Sequence, residues 1–247
     1  MSDPVILIHG AWQGSWVWKK LIPLLEAAGV EVHAVDLPGN GVDDTPFEDV
    51  SLDLYVDHVG ALIEKIGRPV SLVGHSGGGV VATEVGERYV EQVARVAYVA
   101  GMMLPPGAGF SDLLYWEHAV KRGLLGIGPH LEWSADGSQS RVPPEAGARI
   151  FLNDVPYDTA LIGARNLTPQ AEGGRSIVAE WTPERFGTLP RLYVECERDL
   201  SVVPAFQRRM QELVPGAERV ELDTGHAPQI SAPEKLAGAL LPFLTGE

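Results

Sequence analysis

The chain has 247 residues, 45% hydrophobic and 21% charged, with a single cysteine. That is globular composition with enough apolar material for a large core, and it excludes both a disordered chain and an internal disulfide framework. Nineteen Lys and Arg against 33 Asp and Glu give a formal charge of −14, with no basic cluster longer than a pair, which excludes partners held by a basic patch, such as nucleic acid or an anionic membrane.

Metal and cofactor templates are absent. Cys196 stands alone, no His-x-x-x-His or H-E-x-x-H pair occurs, there is no phosphate-binding glycine loop, and Gly39-Asn40-Gly41 lacks the third glycine of a dinucleotide fingerprint. No cofactor and no metal are expected. The acidic start, Met1-Ser2-Asp3-Pro4, leads into only four apolar residues before His9, and no apolar stretch is long enough to span a bilayer. The expectation is a soluble, cytoplasmic protein. A homodimer is compatible with the sequence, which gives no direction on oligomeric state.

In chain order, short apolar runs at 5–8, 32–35 and 70–73 alternate with helical patterns at 16–28 and 52–66. In the second helix Leu52, Tyr55, Val56, Val59, Leu62, Ile63 and Ile66 form a helix-period stripe, and Ser51 is its N-cap. A helix at 77–89 and a strand at 93–99 continue a βαβα order, which implies a parallel sheet covered by helices. From Met102 to about Pro190 the rhythm breaks into short pieces with Pro105-Pro106, Pro143-Pro144 and Gly173-Gly174. Alternation resumes with a strand at 192–196, a helix at 204–213, a strand at 219–222 and a helix at 233–244. The expected architecture is one α/β domain over 1–247, with a core of 1–101 and 190–247 and a small, mostly helical cap over about 102–189.

The sharpest chemical signal is Gly74-His75-Ser76-Gly77-Gly78, a G-x-S-x-G directly after a strand. A serine presented above a sheet edge needs a tight strand-to-helix turn, which glycine neighbours permit. Gly77 adds a backbone amide at a helix N-terminus, where developing negative charge is favoured. A serine hydroxyl is a weak nucleophile and needs a base. Among seven histidines, His226 in Asp223-Thr224-Gly225-His226-Ala227-Pro228 lies between the last strand and the last helix, on the same sheet edge and after the serine, as the triad order requires. His75 and His9 are read as structural, and His33, His58, His118 and His130 lie in no motif. The acid is placed at Asp199, three residues after a strand, with Glu197 and Asp223 as rivals; a helix-capping aspartate is the plainer reading. His9-Gly10-Ala11 follows the first strand, so Gly10 lets the backbone turn under the nucleophile and the amide of Ala11 joins that of Gly77 as an oxyanion hole. Cys196 ends an apolar strand and reads as core.

His9-Gly10-Ala11-Trp12-Gln13-Gly14-Ser15-Trp16-Val17-Trp18, Asp36-Leu37-Pro38-Gly39-Asn40-Gly41, the serine turn, Glu184-Arg185-Phe186-Gly187 and the stretch from Asp199 to Gln207 together resemble the group of plant methylesterases and hydroxynitrile lyases and their bacterial esterase relatives. The resemblance covers both ends of the core. It implies an α/β-hydrolase core with a small helical cap, a triad of Ser76, Asp199 and His226, and oxyanion amides at Ala11 and Gly77. The lyases of the group have a threonine after the histidine of the first loop and a lysine after the catalytic histidine, where this sequence has Gly10 and Ala227. That departure points to hydrolysis. The leading expectation is therefore a carboxylesterase acting on a small apolar or aromatic ester, with Gly10, Trp12, Trp116 and Trp133 about the substrate and Trp181 as a further aromatic of the cap. Cyanohydrin-type elimination on the same triad is the first alternative. A small-molecule receptor of low turnover is the second, since fold alone does not fix function.

Overall fold

The computed structural model describes residues 2–246 without the side chains of Glu117 and His118, so the imidazole of His118 lies outside the described residues. In the first part of the chain β1 (Val5–Ile8), α1 (Ile22–Ala27), β2 (Val32–Ala34), α2 (Leu52–Ile66), β3 (Val70–His75), α3 (Gly78–Arg88) and β4 (Val93–Val99) follow in order. The chain then enters an inserted stretch with α4 (Phe110–Leu114), α5 (Glu117–Arg122), β5 (Glu132–Trp133), β6 (Gln139–Arg141), α6 (Pro144–Ile150), α7 (Tyr157–Ala164), β7 (Gln170–Ala171) and α8 (Glu172–Arg175). It returns to the sheet through β8 (Arg191–Cys196), α9 (Pro204–Leu213), β9 (Glu218–Leu222), α10 (Pro228–Ser231) and α11 (Pro233–Thr245).

Six strands form the central sheet in the order β2-β1-β3-β4-β8-β9, every neighbouring pair parallel. Parallel strands covered on both faces read as continuous apolar runs, because successive side chains enter opposite layers. Ile6, Ile8, Leu72, Val96, Tyr98 and Tyr193 pack with α2, α3 and α9 on one face. Val5, Leu7, Val73, Ala97, Val99, Leu192 and Val194 pack with α1 and α11 on the other. A third apolar cluster, with Val142, Ala148, Ile150, Phe151 and Leu152, lies in the insertion and reaches the core through Trp12 and Ala227.

The expected stripe of α2 is buried at Tyr55, Val56, Val59 and Ile63, and Ser51 caps the helix by accepting the Leu54 N–H at 3.2 Å. The helix expected over 16–28 is instead a 3₁₀ turn, Ser15–Trp18, followed by α1. Pro23 is the reason: without an N–H and with a fixed φ it is accommodated in the first turn of a helix and not in its middle. The insertion, expected to be mostly helical, also carries a three-stranded antiparallel sheet in the order β5-β6-β7. Its hairpin turns at Asp136-Gly137, where Asp136 Oδ1 accepts the Ser138 N–H at 3.1 Å and Gly137 sits at φ +73°.

Candidate active site

Loops leaving the carboxyl ends of β1, β3, β8 and β9 converge at one edge of the sheet, where open α/β sheets place their ligands. Ser76 follows β3 directly and has φ +51°, one of three described non-glycine residues with positive φ. Such a backbone costs about 1 kcal/mol or more and persists only when its surroundings fix it. Here the Ser76 N–H donates to Val99 O at 3.2 Å, and Ser76 O accepts from Gly79 N–H at 3.0 Å and Met102 N–H at 2.8 Å. Close approach explains two of the glycines. A Cβ on Gly78 would fall 2.4 Å from His9 O, and one on Gly10 would fall 2.8 Å from Ser76 Cβ. Gly77, the residue after Ser76, is the N-cap of α3, and a Cβ built on it would lie 3.8 Å from Ala11 N, so the loop after β1 and the start of α3 come close together here.

His226 is buried in the loop after β9, and its Nδ1 donates to Asp199 Oδ2 at 2.7 Å. Asp199 is held by further donors: Ser201 N–H at 2.7 Å and Val202 N–H at 3.0 Å to Oδ1, and Gln207 Nε2 at 3.3 Å to Oδ2. Facing a carboxylate oxygen, Nδ1 carries a hydrogen, which leaves Nε2 as the nitrogen directed away from the acid. The two rival acids lie at the surface, Asp223 in an ion pair with Arg198 at 2.7 Å.

The other two buried histidines frame this arrangement. His75 Nε2 lies 2.8 Å from the backbone carbonyl of His226 and its Nδ1 3.0 Å from Gln13 Oε1, which also accepts the Gly10 N–H at 3.2 Å, so the ring's hydrogen goes to one of these two acceptors. His9 Nδ1 donates to Gly10 O at 2.8 Å while Nε2 accepts the Leu37 N–H at 3.1 Å. Burial pushes the His9 pKa down to about 4, and burial together with the nearby His226 holds that of His75 well below the ordinary histidine value. Unfolding returns both rings to a pKa near 6.5, so the unfolded chain binds more protons below that pH. The stability contributed by the neutral rings is complete above pH 6.5 and is lost as pH falls toward the folded-state values. Thermal unfolding is expected to show Tm dropping by several degrees between pH 7 and pH 5, with proton uptake on unfolding; a flat Tm across that range would contradict two buried neutral imidazoles.

Above Ser76 lies a cavity of about 810 Å³ including its mouth, lined by Gly10, Ala11, Trp12, Ser76 and Gly77 from the core and by Phe110, Leu114, Leu125, Ile127 and Ile177 from the insertion. A buried polar group in its wall closes on itself. Gln170 Oε1 accepts Trp12 N–H at 3.1 Å and Asn40 Nδ2 at 2.9 Å, Gln170 Nε2 donates to the Tyr55 hydroxyl at 3.1 Å, and that hydroxyl donates to Asn40 Oδ1 at 2.9 Å. Burial raises the Tyr55 pKa to about 12, which keeps its proton in the network. Arg175, also in the wall, is paired with Glu172 at 2.6 Å. With these groups spent on each other, the cavity meets a ligand as an apolar surface.

Of the expected aromatic contacts, Trp12 lines the cavity and Trp116 and Trp133 do not. Trp133 is 46% exposed on the edge strand β5, where its ring lies under the Arg175 guanidinium at 5.1 Å. Trp116 lines a separate surface groove with Leu104, Leu113 and Arg209, its ring covered by the Arg209 guanidinium. Trp181 is committed elsewhere too, donating from Nε1 to Leu104 O at 2.9 Å and packing edge-on against Phe186. The insertion's share of the wall is instead Phe110 with the aliphatic Leu114, Leu125, Ile127 and Ile177, residues whose approach depends on how the insertion folds. Among the described residues, no group of three or more His, Cys, Asp or Glu side chains is placed to hold a metal ion, and no helix is long and apolar enough to cross a membrane.

A doubly covered parallel sheet with a serine elbow, a buried Asp–His pair and an inserted cap defines an α/β-hydrolase. Residues 5–239 match the model of the alpha/beta hydrolase family, and the chain belongs to it. Methylesterase 7 of Arabidopsis thaliana is 29% identical over 251 residues, covering 96% of this chain and 94% of the relative. The pyrethroid hydrolase of Sphingobium wenxiniae is 28% identical over 261 residues, covering 97% of this chain and 86% of that protein. Among solved structures, a pyrethroid hydrolase from Sphingobium faniae superposes with a TM-score of 0.85 at 26% identity, covering 99% of this chain and 98% of the other.

Proposed function

We propose that the protein is a carboxylesterase that hydrolyses a small, neutral, apolar or aromatic ester through an acyl-serine at Ser76. The observation that carries the reading is the buried Asp199–His226 pair, hydrogen-bonded at 2.7 Å, at the same sheet edge as a serine in a left-handed turn that lines an apolar cavity. In this reading His226 Nε2 takes the Ser76 proton as the hydroxyl oxygen attacks the ester carbonyl. The oxyanion is met by the amides of Ala11 and Gly77. The imidazolium then gives its proton to the leaving alcohol, and a water activated by the same nitrogen releases the acid and restores Ser76. Residues 102–189 act as the cap that excludes bulk water, within one domain whose core is 1–101 and 190–247. A cytoplasmic location belongs to the proposal, supported by the lone thiol, Cys196, being buried and unpaired.

Reaction type turns on where charge develops. Cyanohydrin cleavage expels an anion that needs a positive group near it, and the position after His226 is Ala227, buried in the apolar cluster of the insertion. Ester attack instead places charge on the carbonyl oxygen, next to Ala11 and Gly77. The purified protein is therefore expected to hydrolyse p-nitrophenyl esters of short aromatic or medium-chain acids and to accelerate mandelonitrile cleavage little over buffer. Cyanide release faster than hydrolysis of every ester tried would overturn the reading in favour of a lyase; saturable ester binding without turnover would make the protein a receptor.

A further inference from the structure

The insertion touches the acid and base loops through residues that do not line the cavity. After α6 the chain runs through Phe151-Leu152-Asn153-Asp154, and three of these four residues reach the two loops. The Phe151 ring packs on the His226 imidazole, centroids 5.2 Å apart. Asp154 Oδ2 accepts the N–H of Gly225, the residue before His226, at 2.7 Å, and the hydroxyl of Ser231 at 2.8 Å. Asn153 Nδ2 donates to the carbonyl of Arg198, the residue before Asp199, at 2.9 Å. The approach leaves no room: a Cβ on Gly225 would fall 2.4 Å from Asn153 Oδ1 and 2.7 Å from Asp154 Oδ1. None of residues 151–154 is among the residues lining the substrate cavity.

We propose that residues 151–154 form a clamp through which the insertion fixes the relative position of acid and base, and that Asp154 and Asn153 are positioning residues for the reaction at Ser76. The inference rests on reading Ser76, Asp199 and His226 as the triad. The physical reason for such a clamp is that a buried imidazole on a loop is oriented by its ring partner and by its backbone, and Asp199 supplies only the first. A carboxylate that takes the Gly225 N–H and the Ser231 hydroxyl pins the loop on either side of His226, and Asn153 ties the acid loop to the same segment. The insertion thereby does more than roof the cavity: a cap displaced from this seat would leave the serine in place and the base misaligned.

The test is kinetic and spectroscopic, on the full chain with a p-nitrophenyl ester. Asp154→Ala is expected to lower kcat by about 10- to 100-fold, the cost of misplacing a catalytic group by about an ångström, with KM within about threefold. Asp154→Asn should restore most of it, since an amide oxygen in the place of Oδ2 accepts from both the Gly225 N–H and the Ser231 hydroxyl. The low-field Nδ1 proton resonance of His226 should weaken or move in the alanine variant and persist in the asparagine one. Asn153→Ala and Gly225→Ala provide a second route should Asp154→Ala fail to fold, each with kcat lowered and KM retained. Wild-type kcat in folded Asp154→Ala or, in its stead, in both second-route variants would overturn the clamp, as would a loss confined to KM or an Asp154→Asn as impaired as the alanine. In the same assay, retained activity in Ser76→Ala would instead unseat the triad reading, so the two failures are distinguishable.

Discussion

Ser76→Ala is expected to lower kcat by about 10⁶, the loss typical of removing the nucleophile from a triad that acts as a unit. No described residue stands in for it: the only thiol, Cys196, is buried at the end of β8, its pKa raised above the ordinary value by burial. The cavity and the two amides at Ala11 and Gly77 remain in the variant, so residual catalysis by oxyanion binding and by substrate capture is expected to survive at the level of 10³–10⁴ over water. The fold should be unaffected, because alanine meets the same φ of +51° that the serine does and the backbone bonds to Val99, Gly79 and Met102 involve no side chain. Ser76→Gly sharpens the test: it should be equally inactive yet more stable by about 1 kcal/mol, since glycine relieves the left-handed strain. More than a tenth of wild-type ester hydrolysis in either purified variant would remove Ser76 from the mechanism.

What the sequence disclosed and what it concealed follow from the range of the interactions. The alternation of β1 to β4 was legible because both faces of a parallel sheet are buried, which leaves continuous apolar runs such as Val70 to Val73, and because α2 shows its stripe and its serine cap locally. The elbow was legible because the glycines that permit it lie within two residues of Ser76, although the carbonyl that requires Gly78, that of His9, is distant in sequence. Trp116 and Trp133 were assigned to the cavity only on residue type, and they lie elsewhere because aromatic bulk says nothing about which side of a short helix, as at Trp116, or of a short edge strand, as at Trp133, it will occupy. Gln170, which closes the polar network 130 residues from Asn40, had no local signal at all. Nor did Gln13, whose oxygen faces both Gly10 and His75, or the Asn153-Asp154 pair, whose partners are 45 and 71 residues away. The Asp136-Gly137 turn of the small hairpin did carry a signal, a turn dipeptide between two short polar strands, too weak in hydrophobic period to mark them as strands.

The acid gives the second large effect. Asp199→Asn is expected to leave the protein folded and to lower kcat by about 10⁴. An amide in place of the carboxylate offers one oxygen and one NH₂, and the backbone donors of Ser201 and Val202 already claim an oxygen at the Oδ1 position. The NH₂ is then turned toward His226 Nδ1, where it can only donate. The imidazole answers by taking the other tautomer, with its hydrogen on Nε2, and the nitrogen that should receive the serine proton is occupied. Loss of the negative charge removes the stabilisation of the imidazolium as well. Glu197→Gln and Asp223→Asn are expected to be far milder, since both side chains lie at the surface and Asp223 spends its carboxylate on Arg198. The measurement is kcat for one p-nitrophenyl ester across the three variants, with thermal unfolding to confirm that each is folded. If Asp199→Asn kept activity within tenfold of wild type while either control lost more, the acid would have to be reassigned, and the 2.7 Å bond to His226 would be structural only.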